Sequence, residues 1–104
     1  MAYYFLAHYT VKDAQTWQSY AQQGIPTIYQ YGGKILAATG PGLQEPHGIE
    51  ATAQHAVTVI LEFDSQADYE RWYKSPDYQR IINMRLDSTE GWAQGLPGFL
   101  MPTG

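Results

Sequence analysis

One run limits the fold more than anything else in this chain. His55 to Phe63, HAVTVILEF, is apolar at nearly every position and rich in β-branched residues. It reads as a strand in the middle of a sheet with both faces covered. Flanking strands and a cover for each face must therefore be found.

Those elements are readable on either side of the run. Tyr3 to Val11, aromatic and β-branched, is a first strand, and Asp13 stands where a helix N-cap belongs. Trp17, Tyr20, Ala21, Gly24, Ile25 and Ile28 then follow helical spacing, which predicts a helix over Ala14 to Tyr31. Pro26 removes a backbone donor inside it, so a kink or brief unwinding is expected around Gly24 to Pro26. YGGK closes the helix, and Lys34 to Thr39 is a short second strand. Gly40 to Ala53 is a loop by its Gly and Pro content, long enough to suggest a functional flap.

After the central run, SQAD (Ser65 to Asp68) resembles a capping box, and SPD (Ser75 to Asp77) restarts the helix. Tyr69, Trp72, Tyr73, Tyr78, Ile81, Ile82 and Arg85 form its inward stripe. The tail from Gly91 to Met101 is strand-like but broken by Gly95, Pro97 and Gly98, which confines it to an edge or a bulge. The order is β-α-β-β-α-β: an α+β, ferredoxin-like chain with a four-stranded antiparallel sheet.

Two helices cover only one face of such a sheet. Alternation places Val57, Val59, Leu61 and Phe63 under the helices and Ala56, Thr58, Ile60 and Glu62 on the other face, which Tyr4, Leu6, His8 and Thr10 of the first strand are expected to share. That face is too apolar for water and too polar for an ordinary core. A second copy of the chain would cover it, leaving a small cavity between the two sheets.

Composition narrows the function. A chain of 104 residues makes one domain, residues 1–104. It has no Cys, so disulfides, thiolate nucleophiles and Cys-ligated zinc are excluded and a cytoplasmic home is the simplest. A net charge of −4 with six scattered Lys and Arg argues against nucleic acid, and no segment reads as a signal peptide or membrane span. His47, Glu45 and Glu50 lie on the Gly-Pro loop without rigid ligand spacing, so no metal is expected. YGGK and TGPG lack the pattern of a phosphate cradle, so no nucleotide cofactor is expected either.

The succession AHYTVKD, YAQQGIPTIYQYGGKIL and VTVILEFDSQADYERWYKSPDYQRIINMRLDSTEG resembles the bacterial domain of unknown function 1330 over almost the whole chain. The resemblance implies a dimeric α+β barrel of the ferredoxin-like superfamily. Relatives there include cofactor-free monooxygenases, isomerases and lactone-forming enzymes, and the family itself has no general activity. The long loop from Gly40 to Ala53 and the broken tail depart from the family pattern.

Several residues are candidates for chemistry. His8 is the one imidazole on the proposed cavity face: either a general base or a histidine satisfied by a backbone carbonyl or by Thr10. With the first and third strands as parallel neighbours, Glu62 would approach His8 diagonally and orient it; alternatively it sits in water at the strand end. Arg85 would hold a substrate carboxylate or enolate by two hydrogen bonds, or else answer the helix dipole and pair with Asp87. Tyr4, Thr10, Thr58 and Tyr20 are candidate substrate contacts, and Asp87 and Ser88, in the family-like RLDSTEG, offer oxygens beyond a helix end. The expected function is a cofactor-independent homodimeric enzyme acting on a small, partly apolar carbonyl metabolite by acid/base proton transfer, through isomerisation, cyclisation or oxygen insertion. A small-molecule-binding homodimer without chemistry, or a purely structural homodimer with a dry, filled interface, are the alternatives.

Overall fold

In the computed structural model, which describes residues 1–50 and 56–100, β1 (Tyr3–Val11) runs into α1 (Ala14–Gln30), whose first turn Asp13 caps. Its carboxylate accepts from the Thr16 amide at 3.2 Å and the Thr16 hydroxyl at 2.7 Å. α1 passes unbroken through Pro26, so the expected unwinding does not occur. Here the Thr27 hydroxyl donates to the Gly24 carbonyl at 2.6 Å and accepts from Trp72 Nε1 at 3.0 Å, tying this turn of the helix to its neighbour.

The helix closes as YGGK suggests. Gly33 donates to the Ile28 carbonyl at 2.9 Å and Gly32 to that of Tyr29 at 3.2 Å, with Gly32 at φ +85°. Gly33 has a second reason to lack a side chain, since a Cβ there would come within 2.5 Å of the Phe63 ring. β2 (Lys34–Thr39) and β3 (Ala56–Phe63) follow. His55, the end of the long loop and Met101 lie outside the described residues.

The second helical region is three pieces: α2 (Gln66–Tyr73), α3 (Pro76–Gln79) and α4 (Ile82–Ser88). Ser65 and Ser75 cap the first two through the amides of Asp68 and Tyr78, both at 3.1 Å. β4 (Thr89–Pro97) completes the chain's sheet, begins two residues earlier than expected, and lies at an edge.

The fold is an α+β, ferredoxin-like arrangement with strand order β2-β3-β1-β4, antiparallel at every pairing. One expectation fails: β1 and β3 are antiparallel neighbours, not parallel ones. The crossover through α1 returns β2 in the direction of β1, and β3 folds back between them, so it opposes both. Tyr4 therefore stands opposite Glu62 and His8 opposite Thr58.

The core lies between sheet and helices. Phe5, Tyr9, Leu61 and Phe63 meet Trp17, Trp72, Tyr78 and Ile81 there. Trp72 is its hub, with ring centres 4.2 Å from Tyr78 and 5.5 Å from Phe5 and Phe63. None of the described helices is long and apolar enough to cross a membrane.

Two glycines in this core should respond oppositely to an added methyl. A Cβ on Gly24 would meet nothing closer than 3.5 Å, so Gly24→Ala should stabilise by about 0.5–1 kcal/mol, the usual helix-interior difference. Gly33→Ala should destabilise by about 1–3 kcal/mol through overpacking against Phe63. Urea denaturation of both variants checks the pair; equal effects would mean that α1 does not approach the sheet as described.

Candidate functional site

Side-chain alternation along β1 sends Tyr9 under the helices, where small residues face one another across a gap. Ala7 and Ala38 on the sheet and Ala21 and Gly24 on α1 are too short to meet, leaving a cavity of about 300 Å³. Trp17 and Trp72 are among its walls. Ile25 and Leu43, exposed at 44% and 54%, mark its opening.

The polar side chains lining this cavity are few: Tyr9, Tyr20, Thr39 and Arg85 with the indoles of Trp17 and Trp72. Tyr78 stands behind Tyr20, and the Thr39 hydroxyl accepts from the Thr58 amide at 3.1 Å. Trp17 Nε1 donates to the Tyr9 hydroxyl at 3.0 Å, and the hydroxyls of Tyr20 and Tyr78 are 2.7 Å apart. Arg85, on α4, is only 6% exposed, with its guanidinium carbon 5.9 Å from the centre of the Tyr9 ring. Its Nε is buried without a hydrogen-bond partner. Arg85 joins no ion pair among the described residues; in particular it does not pair with Asp87, which is exposed.

Electrostatics set the protonation states here. Burial raises the Tyr9 phenol, with partial relief from the Trp17 hydrogen bond and the Arg85 charge. Burial also lifts Tyr20 well above the ordinary value, reinforced by Tyr78, and raises Tyr78 itself against the opposing pull of Arg85. Burial works against the guanidinium charge, but the surrounding oxygens of Tyr78 and Tyr20 outweigh it and Arg85 keeps its proton. The cavity thus presents neutral phenols beside one cation.

The other candidates lie on the opposite face of the sheet. His8 Nδ1 is 2.9 Å from the Thr58 hydroxyl, and its ring centre is 5.6 Å from that of Trp92. Tyr4 donates to Glu62 at 3.0 Å and Lys34 pairs with the same carboxylate at 3.2 Å, which together hold it below the usual carboxylate range. Thr10 is exposed near the end of β1.

Two expectations are thereby corrected. Glu62 does not orient His8: in the antiparallel register the two stand four residues apart along the strands, about 13 Å at the usual rise. Nor can His8 and Arg85 act on one molecule, because the sheet separates them. Of the predicted residues, Tyr20 and Arg85 come together at the cavity. Ser88 is buried but occupied, its carbonyl accepting from the amides of Lys12 and Asp13 at 2.7 and 3.2 Å. Tyr9, Trp17 and Tyr78 escaped the sequence reading as site residues. Their signal was Arg85 itself, a charge within an apolar helical stripe.

The sequence model of the family described as "Domain of unknown function (DUF1330)" matches residues 2–96. No curated protein matches the chain. Among solved structures, a protein of unknown function from Rhodopseudomonas palustris is similar with a TM-score of 0.67 at 16% identity, covering 97% of this chain and 84% of that one. SnoaB, a cofactor-independent oxygenase from Streptomyces nogalater, is similar with a TM-score of 0.67 at 9% identity, over 96% and 95% of the two chains. A putative antibiotic biosynthesis monooxygenase from Nitrosomonas europaea gives 0.60 at 14% identity, over 99% and 94%. At these identities the likeness is one of fold.

The buried phenols predict an alkaline limit. Their folded-state values lie above the unfolded value of about 10, so their contribution to stability is fully present below about pH 10 and is lost as pH rises through the raised values. Thermal melts from about pH 8 to about pH 11 should show that loss, and Tyr20→Phe with Tyr78→Phe should flatten it. A flat profile in the parent chain would contradict the described burial.

Proposed function

The chain belongs to the DUF1330 family, and from that premise we propose that it is a cofactor-independent enzyme acting on a small, partly apolar carbonyl compound in the cavity between helices and sheet. The carrying observation is that the buried Arg85 and Tyr20 line an apolar hollow, with the Tyr78 hydroxyl against that of Tyr20. The likeness to SnoaB, a cofactor-independent oxygenase, supports the class of reaction.

The chemistry follows from what lines the hollow. Among the described lining residues there is no carboxylate or imidazole, so a proton leaving carbon passes to water or hydroxide at the opening near Ile25 and Leu43. His8 has no part in this step. The electron pair left behind moves onto the carbonyl oxygen as an enolate, and Arg85 takes up that charge at a position already stripped of water. Tyr20, backed by Tyr78, returns a proton to the enolate as a neutral acid and is reprotonated from the water that accepted the first one. An enolate held this way is common to isomerisation, cyclisation and reaction with dioxygen.

Deuterium exchange at the carbon next to the carbonyl, followed by NMR in heavy water over a panel of enolisable ketones and diketones, tests this directly. The protein should accelerate exchange, Arg85→Gln should slow it by about 10²–10³, as expected for loss of one oxyanion donor, and Tyr20→Phe should slow it less. Ligand binding with no acceleration for any panel member would leave the second reading, a binding module.

We further propose that the open sheet face is covered by a second copy of the chain. Trp92 is 49% exposed opposite His8, and Leu6, Ile60 and Leu96 lie on the same face of the sheet. Light scattering should report a dimer, and Trp92→Glu should give a folded monomer. A monomeric parent chain at micromolar concentration would refute this.

A further inference from the structure

Resting on the reading of the cavity as a substrate site, we infer that the substrate arrives already carrying one negative charge and that Arg85 is its counter-ion.

The argument starts from where the cations of this chain find partners. Lys12, Lys34, Arg71 and Arg80 stand at exposed or half-exposed positions, and each pairs with a carboxylate: Glu90, Glu62, Asp68 and Asp77; Lys74 joins no ion pair among the described residues but stands in water. Water would serve those four nearly as well. Arg85 is the reverse case: 6% exposed, in no ion pair among the described residues, and with a buried Nε lacking any acceptor. Its contacts are the Tyr78 hydroxyl and the Tyr9 ring, both neutral. A buried charge with no anionic partner is costly, and chains rarely keep one unless something supplies the opposite charge.

Nothing on its own side of the sheet does so. The phenols of Tyr9, Tyr20 and Tyr78 are held neutral by burial, and no carboxylate borders the cavity among the described residues. The site therefore carries one uncompensated positive charge before anything binds. A transition-state oxyanion would neutralise it only for an instant. A ground-state anion neutralises it throughout.

Its chemical class follows from the same contacts. One cation, with no second Lys, Arg or His among the described lining residues, fits a monoanion better than a phosphate. An Nε–H without an acceptor is one tine of the guanidinium fork, whose two parallel bonds match a planar oxyanion, either a carboxylate or a stabilised enolate. A volume of about 300 Å³ is at the low end for ligand pockets, and Trp17 and Trp72 offer flat apolar walls. The substrate is a small planar molecule, apolar apart from one oxyanionic group.

Quenching of Trp17 and Trp72 fluorescence in a Trp92→Phe background, with small aryl carboxylates against their uncharged amides, tests the charge. The carboxylate should bind about 10–100-fold tighter, as a charge-assisted pair provides, and its affinity should fall tenfold per unit of pH below the ligand's own pKa. Arg85→Gln should abolish the preference and Arg85→Lys should keep part of it. Should Arg85→Gln not fold, the pH dependence in the parent chain still decides. Equal affinity for acid and amide, a preference surviving in Arg85→Gln, or no quenching by either series would overturn the inference. Deuterium exchange separates this from the enzyme reading: anion preference without exchange sinks only the enzyme, and rapid exchange of neutral ketones by the parent chain, with equal affinity for acid and amide, sinks only the anion.

Discussion

A sheet covered by helices on one side only sorts every residue of its strands into one of two environments. Phe5, Ala7 and Tyr9 point under the helices and Tyr4, Leu6, His8 and Thr10 point away, and β3 repeats the division opposite them. No side-chain motion moves a group from one set to the other, because a one-residue slip would turn the entire core outward. The sorting therefore fixes which groups can share a ligand. It brings Tyr9 to Arg85 and keeps His8 from both.

The hollow and the dense core next to it come from one helix–sheet interface. Where Trp72 fills the space, it touches Phe5, Phe63 and Tyr78 and gives its indole N–H to Thr27, so no polar group is wasted. Along α1 the facing residues shrink to Ala21 and Gly24 above Ala7 and Ala38, and the layers no longer meet. Closing that gap would take only larger aliphatic side chains. A chain that keeps alanine and glycine there forgoes dispersion contacts and core stability. The proposed function would account for that loss.

Most of the fold was legible because its signals are local. The apolar run of β3, the caps at Asp13, Ser65 and Ser75, and the Gly32–Gly33 helix end each follow from a few neighbouring residues. Pairing direction was not local. It depends on β3 inserting between β1 and β2, and the misread direction produced the false approach of Glu62 to His8. The tail glycines misled in another way. Gly95 is no breaker but a seat for the Tyr3 ring, whose hydroxyl would be 2.4 Å from any Cβ placed there. The site was half legible: alternation and helical spacing put Arg85 and Tyr20 inward, yet only packing reveals that four small residues leave a void between them and the sheet.

Arg85 is the point at which stability and chemistry pull apart. A leucine or methionine would complete the apolar stripe formed by Tyr78, Ile81 and Ile82, with no desolvated charge to hold. The guanidinium is instead kept in place over the Tyr9 ring, hydrogen-bonded to the Tyr78 hydroxyl but with no anion beside it and its Nε left without an acceptor. A group held like this is poised before any ligand arrives. Under the proposed function no solvent has to reorganise around it when an oxyanion enters, which is the preorganisation that a binding site needs and a packing defect lacks.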